Sequence, residues 1–400
     1  MRALVFSRSL PRYAAARVAG TVVPGMGAAV GPLSLTDLDE PDLPAPGWRR
    51  VRPRLSGICG SDLATVDGRS SRYFEPIVSF PFVPGHEVVA DLAAREAGPS
   101  DTHGDQRVVI EPVLGCAARG ISPPCRGCAD GSIDRCERIA FGQLEPGLQS
   151  GYCADTGGGW STSMVAHESQ IHPVPPDMSD EAAVMVEPAA CAIHGVVGTD
   201  HTGASVLVLG AGTLGLCAVA ALRRFTTPAT VIVAAKYPEQ RSLARQLGAD
   251  VVAGPAEARR AVRRATGSLQ VGDGLSGGVD MVIDCVGSES SIGEALCLTR
   301  PGGTITMLGM PGRVSVDLTA LWQRQINLCG SYAYGVEHVG EARPRTFDLA
   351  FDLVADAGLE RLVSAWYPLD RYRDAVEHAA NAGRRGATKV VFDMRGEKRR

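Results

Sequence analysis

Apolar residues fall along this chain in two textures. Up to about residue 188 they come in short runs, such as residues 49–55 and VVIEPV at 108–113, separated by Gly- and Pro-rich punctuation like VPGMGAAVGP and DEPDLPAPG. Such spacing predicts short strands joined by turns. From about residue 203 strands and amphipathic helices alternate: SVLVLG, LGLCAVAALRRF, TVIVAA, PEQRSLARQLGA, then VDMVIDCVG and GGTITMLGM. This alternation is the mark of βαβ units on a parallel sheet. The pattern therefore predicts an α/β chain, a β-rich region followed by a doubly wound parallel sheet, with the join near residues 189–203. Past about residue 338 the alternation weakens, and RDAVEHAANAGRRGATKVVFDM predicts a helix and then a strand before a charged tail.

Composition changes this picture little but narrows the function. A chain of 400 residues exceeds what one core usually organises, and 45% apolar with 21% charged residues is a globular balance. A net charge of -4 offers no electrostatic reason to bind nucleic acid or an acidic membrane, so small-molecule partners are expected. The N-terminus, MRALVFSRSLPRY, lacks a secretory apolar core, which points to the cytoplasm. The uncharged run 204–222 approaches the length of a membrane span, but a Gly-rich turn divides it into a strand and a helix. Eleven cysteines, an odd number, argue against a disulfide framework in a reducing compartment. Four of them gather between Cys116 and Cys136, which makes metal ligation the better reading of that cluster.

GAGTLG, from Gly210 through Gly212, Thr213 and Leu214 to Gly215, follows a strand and opens a helix. That context predicts a dinucleotide turn, whose free N–H groups at the helix N-terminus face a pyrophosphate. An acid at the end of the next strand would hold the ribose 2′-OH of NAD. Here VIVAAKYPEQR places Ala234 and Ala235 there, then Lys236 and Arg241. Small residues followed by cations accept a 2′-phosphate that an acid would repel, so NADP(H) is expected over NAD(H). Arg241 on a solvated helix face and Lys236 pointing into water are the plain alternatives.

Two glycine-bracketed segments, GICGSD at 57–62 and PGHEVV at 84–89, and a third, VEPAACAIHG from Val186, carry metal-ligand types. Cys59, His86 and a carboxylate, Glu87 or Glu187, would offer sulfur, imidazole and oxygen, a set suited to a catalytic zinc with one position left open. The order GICGSD, PGHE, cysteine-rich loop, EP-x-x-C-x-x-H, GAGTLG resembles the zinc-dependent medium-chain dehydrogenases, the family of alcohol, sorbitol, threonine and glucose dehydrogenases. The resemblance spans nearly the whole chain. It implies a GroES-like, β-rich catalytic domain at 1–188 and 339–400, a Rossmann domain at 189–338, two zinc ions, and a homodimer or homotetramer.

By that resemblance Cys59 and His86 are catalytic-zinc ligands and Glu187 stands at the third-ligand position, a glutamate in polyol-type members. Glu87 is a direct ligand in some relatives, so the choice between the two acids stays open. Ser61 corresponds to the hydroxyl that passes on the substrate proton, and Asp62 to the carboxylate behind the metal site. Where many relatives continue the proton relay with a histidine, this chain has Ala64 in SDLATVDG. Lys389 corresponds to a basic residue on the pyrophosphate, while Val286 in DCVG and Leu308 in LGMPG line the nicotinamide half. Trp160 falls in the substrate-pocket region, or simply packs. The family's structural-zinc loop has the spacing C-x2-C-x2-C-x7-C. Cys125, Cys128 and Cys136 match its last three positions, Ser122 stands at the first, and Cys116 can serve instead if ARGISPP bulges outward.

The implied activity is hydride transfer between an alcohol or polyol, or the matching ketone or aldehyde, and the nicotinamide. The rival readings are a zinc-free quinone or enoyl reductase of the same superfamily, a nucleic-acid-binding zinc ribbon, and a non-catalytic NADP-binding regulator. The first lacks the cysteine, histidine and acid set, and the second conflicts with the acidic balance.

Overall fold

The computed structural model describes residues 1–93 and 106–397. These divide into two units, Met1–Glu187 with Glu360–Arg400, and Pro188–Leu359. The first begins with β1 (Arg2–Phe6) paired antiparallel to β2 (Leu33–Asp37), and continues through β3 (Trp48–Gly57), β4 (Val88–Leu92), β5 (Arg107–Ile110), β6 (Met164–His167) and β7 (Ile171–Pro173). The ten-residue β3 is central. Its N-terminal half pairs with β6 and its length also serves β4, so it links the elements that carry the site residues.

The second unit holds β8 (Ser205–Leu209), β9 (Thr230–Ala234), β10 (Val251–Ala253), a small hairpin of β11 (Gln270–Val271) and β12 (Gly274–Leu275), then β13 (Val279–Asp284), β14 (Thr299–Met307) and β15 (Asn327–Gly330). Six of these form one sheet in the order β10-β9-β8-β13-β14-β15, parallel throughout. This is the doubly wound order, with its reversal between β8 and β13. The strands β8 and β9 are buried along almost their whole length, as a sheet covered on both faces requires. The run 204–222 is indeed β8, a turn and the helix Thr213–Phe225. Among the described residues no helix is long and apolar enough to cross a membrane.

The chain then returns to the first unit with β16 (Val363–Tyr367) and β17 (Lys389–Asp393), completing a sheet ordered β16-β17-β3-β4-β5-β7, with β6 on β3. The return comes later than the sequence pattern suggests. Residues 339–359, expected with the catalytic domain, cluster with the second unit. The helix Thr346–Ala357 buries Thr346, Phe347, Ala350, Leu353 and Val354, a stripe at helical spacing, and packs on the helix Thr213–Phe225. The loss of β/α alternation therefore marks the end of the sheet's strands, not the end of the unit.

A second difference lies near the N-terminus, where turns were expected. A thirteen-residue helix, Leu10–Val22, and a short one, Gly27–Val30, are inserted between β1 and β2. Pro11 in the first turn and an alanine-rich sequence favour that helix. The buried carboxylate of Asp67 fixes the following turn by accepting from the Gly25 and Gly27 N–H groups at 3.0 and 3.1 Å. Gly20 has no side chain because a Cβ there would sit 2.7 Å from the Asp67 Cβ.

Candidate metal centre and dinucleotide turn

Strand β3 ends at Gly57, and Cys59 then caps the helix Gly60–Val66. Asp62, in the first turn, folds back to accept from the Cys59 N–H at 3.0 Å. This reciprocal cap orders the segment GICGSD and directs three functional side chains from one turn. His86 and Glu87 arrive immediately before β4. Gly85, at φ +98, permits the turn, and a Cβ there would strike Trp160 at 2.4 Å.

The donor atoms of Cys59, His86 and Glu87 all lie within 4.8 Å of one another. His86 and Glu87 are buried and Cys59 is half-buried. Asp62 Oδ1 stands 3.5 Å behind His86 Nδ1, the carboxylate–imidazole support common at metal-ligating histidines. Burial opposes an imidazolium here, but the nearby Asp62 carboxylate, with Cys59 adding to it, outweighs burial and holds the His86 pKa above its ordinary value. The donor types and their convergence fit a zinc ion.

Glu187 is not part of this convergent set, so of the two acids the structure groups Glu87 with Cys59 and His86. Glu187 lies in the first turn of the helix Val186–Val197 and contributes to the field at Lys389. Lys389, expected on a pyrophosphate, is buried and ion-paired with the Glu87 carboxylate, its Nζ also 3.5 Å from the Ile58 carbonyl. Burial would lower its pKa, but Glu87 and Cys59 raise it. Gly57 makes this pairing possible, since a Cβ there would fall 1.7 Å from Glu87 Oε2 and 2.8 Å from Lys389 Cε. Trp160 packs. It is fully buried, donates to the Gly57 carbonyl at 3.2 Å and meets Phe392 edge-on at 5.0 Å.

Nothing in the sequence marks Tyr152, in SGYCA, yet it borders this centre. Its ring lies 6.0 Å from that of His86, and its hydroxyl donates to Asp62 Oδ1 at 3.4 Å. Ser61 lies in the same helical turn as Asp62, and the Tyr152 hydroxyl also lies 3.4 Å from Thr65 Oγ1 of that helix.

The thiols of Cys116, Cys125, Cys128 and Cys136 also converge within 4.8 Å. Cys136 lies 3.8 Å from Cys116 and 4.0 Å from Cys125, and Cys116 accepts from the Cys125 N–H at 3.3 Å. A hydrogen bond from the Cys128 thiol, opposed by burial, holds Cys136 down to about 5. The same contact raises the Cys128 thiol, and the four converging sulfurs with their backbone N–H donors suit a four-sulfur metal site. Cys116 joins the set as the spacing required, with Ser122, Pro123 and Pro124 pushed out to solvent. Arg119 turns the other way. Fully buried, it donates to the carbonyls of Leu114 and Phe141 at 3.0 Å, of Leu144 and Glu145 at 3.3 Å, and of Gly147. One inward arginine thus closes the bulge that Cys116 needs, a role the sequence does not announce.

In the second unit, each glycine of GAGTLG has a separate reason. Gly210 turns at φ +87, and a Cβ on Gly215 would sit 2.0 Å from the Gly210 carbonyl. A Cβ on Gly212 would meet nothing within 4 Å, leaving open space ahead of the helix that begins at Thr213 and Leu214. That division of labour is the one a dinucleotide turn requires. At the end of β9, Ala235 is buried and Lys236 exposed, while Arg241 folds back to donate to the Ala235 and Lys236 carbonyls at 3.2 and 3.0 Å. Arg241 is therefore held at the strand end, not released along its helix. Asp284 supports the loop containing Val286, accepting from the Val286 and Gly287 N–H groups at 2.9 and 3.1 Å. Leu308 donates its N–H to the Asp284 carbonyl at 2.9 Å, beside that loop.

Two family descriptions match this chain: "Alcohol dehydrogenase GroES-like domain" over residues 45–176 and "Zinc-binding dehydrogenase" over residues 213–356. A probable D-xylulose reductase A from Arthroderma otae is 31% identical over 324 residues, 78% of this chain and 84% of that protein. A sorbitol dehydrogenase from Arabidopsis thaliana is 28% identical, covering 86% of this chain and 88% of its own length. A zinc-binding dehydrogenase structure from Sinorhizobium meliloti, described as putative and bound to NADP, superposes with a TM-score of 0.69 at 25% identity, covering 90% of this chain and 96% of that one.

Proposed function

The chain belongs to the zinc-binding, alcohol dehydrogenase-like oxidoreductases that use a nicotinamide cofactor, and from that premise we propose that it moves hydride between a polyol-type alcohol and NADP(H). In this reading Cys59, His86 and Glu87 hold the reacting zinc, and Cys116, Cys125, Cys128 and Cys136 hold a structural one. The observation that carries it is the convergence of Cys59, His86 and Glu87 beside Ser61 and Asp62. A zinc ion at such a set lowers the pKa of an alcohol hydroxyl and polarises the carbonyl in the reverse direction.

The chain's own residues do the rest. Asp62 orients His86, and Lys389 keeps Glu87 from being an uncompensated buried charge. Ser61 accepts the proton that leaves the alcohol. The open space at Gly212 and the N–H groups of Thr213 and Leu214 receive the pyrophosphate, and Val286 and Leu308 border the nicotinamide. Lys236 and Arg241, with Ala235 in place of an acid, receive the 2′-phosphate. The sorbitol and D-xylulose activities named for the relatives favour a polyol substrate, and a homodimer or homotetramer is the proposed assembly.

A panel of alcohols, sugar alcohols and hydroxy acids, followed at the nicotinamide absorbance with zinc-loaded protein, tests this directly. Polyols should give the highest kcat/KM, with NADP+ preferred over NAD+ by about tenfold or more. Turnover that persists undiminished after complete zinc removal would instead support the zinc-free reductase.

A further inference from the structure

The helix Leu10–Val22 serves neither the metal centre nor the dinucleotide turn, and its outer side carries the wrong residues for a solvated surface. Its inner side is small and lies close on the first unit: Ala16 and Gly20 are buried, and Tyr13 packs on the core and donates to the Ser70 carbonyl at 3.4 Å. The outer side presents Leu10, Ala14, Val18 and Val22, spaced four apart and therefore stepping along one face. Leu10, Val18 and Val22 are 79%, 69% and 77% exposed, and exposed Val23 and Met26 follow them in the chain. Single exposed apolar residues are ordinary, but a continuous row on one helix is a contact surface.

Charge says what kind of surface that row meets. The helix contains two arginines and no acid. Arg12 stands four residues before buried Ala16, and Arg17 four after half-buried Tyr13, so both exposed side chains lie at opposite margins of the apolar row. Arg8, just ahead of the helix, and Arg72, close enough to act on the Tyr13 phenol, share Glu75 at 3.4 and 3.7 Å. Packing the row on a second copy of itself would set arginine against arginine with no helix acid between them. An apolar layer bordered by anionic groups answers both features: leucine and valine enter it, while arginine stems reach along it to the charged edge. The net charge of -4 conceals this, since it averages one basic face with an acidic remainder.

We propose that the helix Leu10–Val22 is an interfacial anchor that rests the protein reversibly on an anionic lipid bilayer, with Leu10, Val18 and Val22 at the acyl boundary and Arg12 and Arg17 on lipid phosphates. The anchor lies on the membrane and does not span it, and it is independent of the dehydrogenase reading. The fold supplies the order that such a face needs. Asp67 accepts from the Gly25 and Gly27 N–H groups and fixes the turn after the helix, so the row is formed before it meets lipid. A single short helix with two cations gives weak attachment that salt releases.

The test is sedimentation of the full-length protein with vesicles of equal parts phosphatidylcholine and phosphatidylglycerol, and with phosphatidylcholine alone. At low salt the protein should bind the anionic vesicles about tenfold more tightly than the neutral ones, and about 0.5 M salt should release it. Arg12→Gln and Arg17→Gln should each weaken binding about fivefold. Val18→Asp should abolish it while the circular dichroism spectrum and thermal midpoint stay those of the wild type, because the position is exposed. Val22→Gln, a milder change on the same row, should weaken binding and serves as the readout where Val18→Asp does not fold. Light scattering on each sample gives the mass in solution. A wild type that leaves anionic vesicles bare, equal binding to both kinds of vesicle, or binding that folded Val18→Asp and Val22→Gln both retain overturns the anchor. So does a wild-type oligomer that Val18→Asp converts to monomers, which assigns the row to a second copy of the chain.

Discussion

The two cysteine-bearing clusters of the first unit differ in how completely they answer their own chemistry. The four-cysteine loop offers four like donors within 4.8 Å, so a tetrahedral ion there has no free position and can only fix the chain. The Cys59–His86–Glu87 set offers three unlike donors, with Asp62 behind the imidazole and Lys389 against the carboxylate. Its charges are already balanced from within the chain, so it can stand in place before a metal arrives. The difference teaches that a cluster's surroundings, more than its ligand types, separate a structural role from a reactive one.

That contrast can be broken most sharply at Cys59. Cys59→Ser should lower kcat/KM by about a thousandfold or more while moving the thermal midpoint little, because the Asp62 cap and the Lys389–Glu87 pair remain. Steady-state kinetics and calorimetry on the same preparation check both halves; a collapse in stability would show that this cluster, too, is a structural one. Cys116→Ser should act the other way round. It should reduce the zinc content from two per chain to one and destabilise the protein by about 3 kcal/mol, measured by elemental analysis and urea unfolding. Two zinc ions per chain in that variant would remove Cys116 from the site.

The smallest effect is expected at Arg119. Replacing it with leucine leaves several buried carbonyls without their donor and should cost about 2 kcal/mol, with both zinc ions retained. Unchanged stability would mean that the metal alone shapes the bulge.

Much of this was legible before any coordinates. The alternation from residue 203 onward comes from strands buried on both faces and helices buried on one, and it appears as the doubly wound sheet. The dinucleotide turn GAGTLG could be read because its glycines answer local demands, and the structure gives each its own reason. Less legible were features whose partners are distant in sequence. The helix Leu10–Val22 was hidden among glycines and prolines that read as turns, and it is tied down by Asp67, more than forty residues from its start. The helix Thr346–Ala357 falls in the stretch expected with the catalytic domain yet clusters with the second unit, since an amphipathic stripe says that a face is buried but not against what.

What the sequence determined by itself was the kind of chemistry: a sulfur, an imidazole and an acid in glycine-bracketed turns, four clustered thiols, and a phosphate-binding turn without a following acid. All of these are carried by residue type and short spacing. Tertiary structure alone decided that Glu87 lies within 4.8 Å of Cys59 and His86, that Lys389 stands against Glu87 across 302 positions of chain, and that Tyr152 reaches Thr65 and Asp62 of one helix. The reason is physical. Ligand types and turn glycines act through bonds and near neighbours, whereas charge pairing and hydrogen bonding between β17, the turn before β4 and the helix Gly60–Val66 exist only once the sheet has brought those segments together.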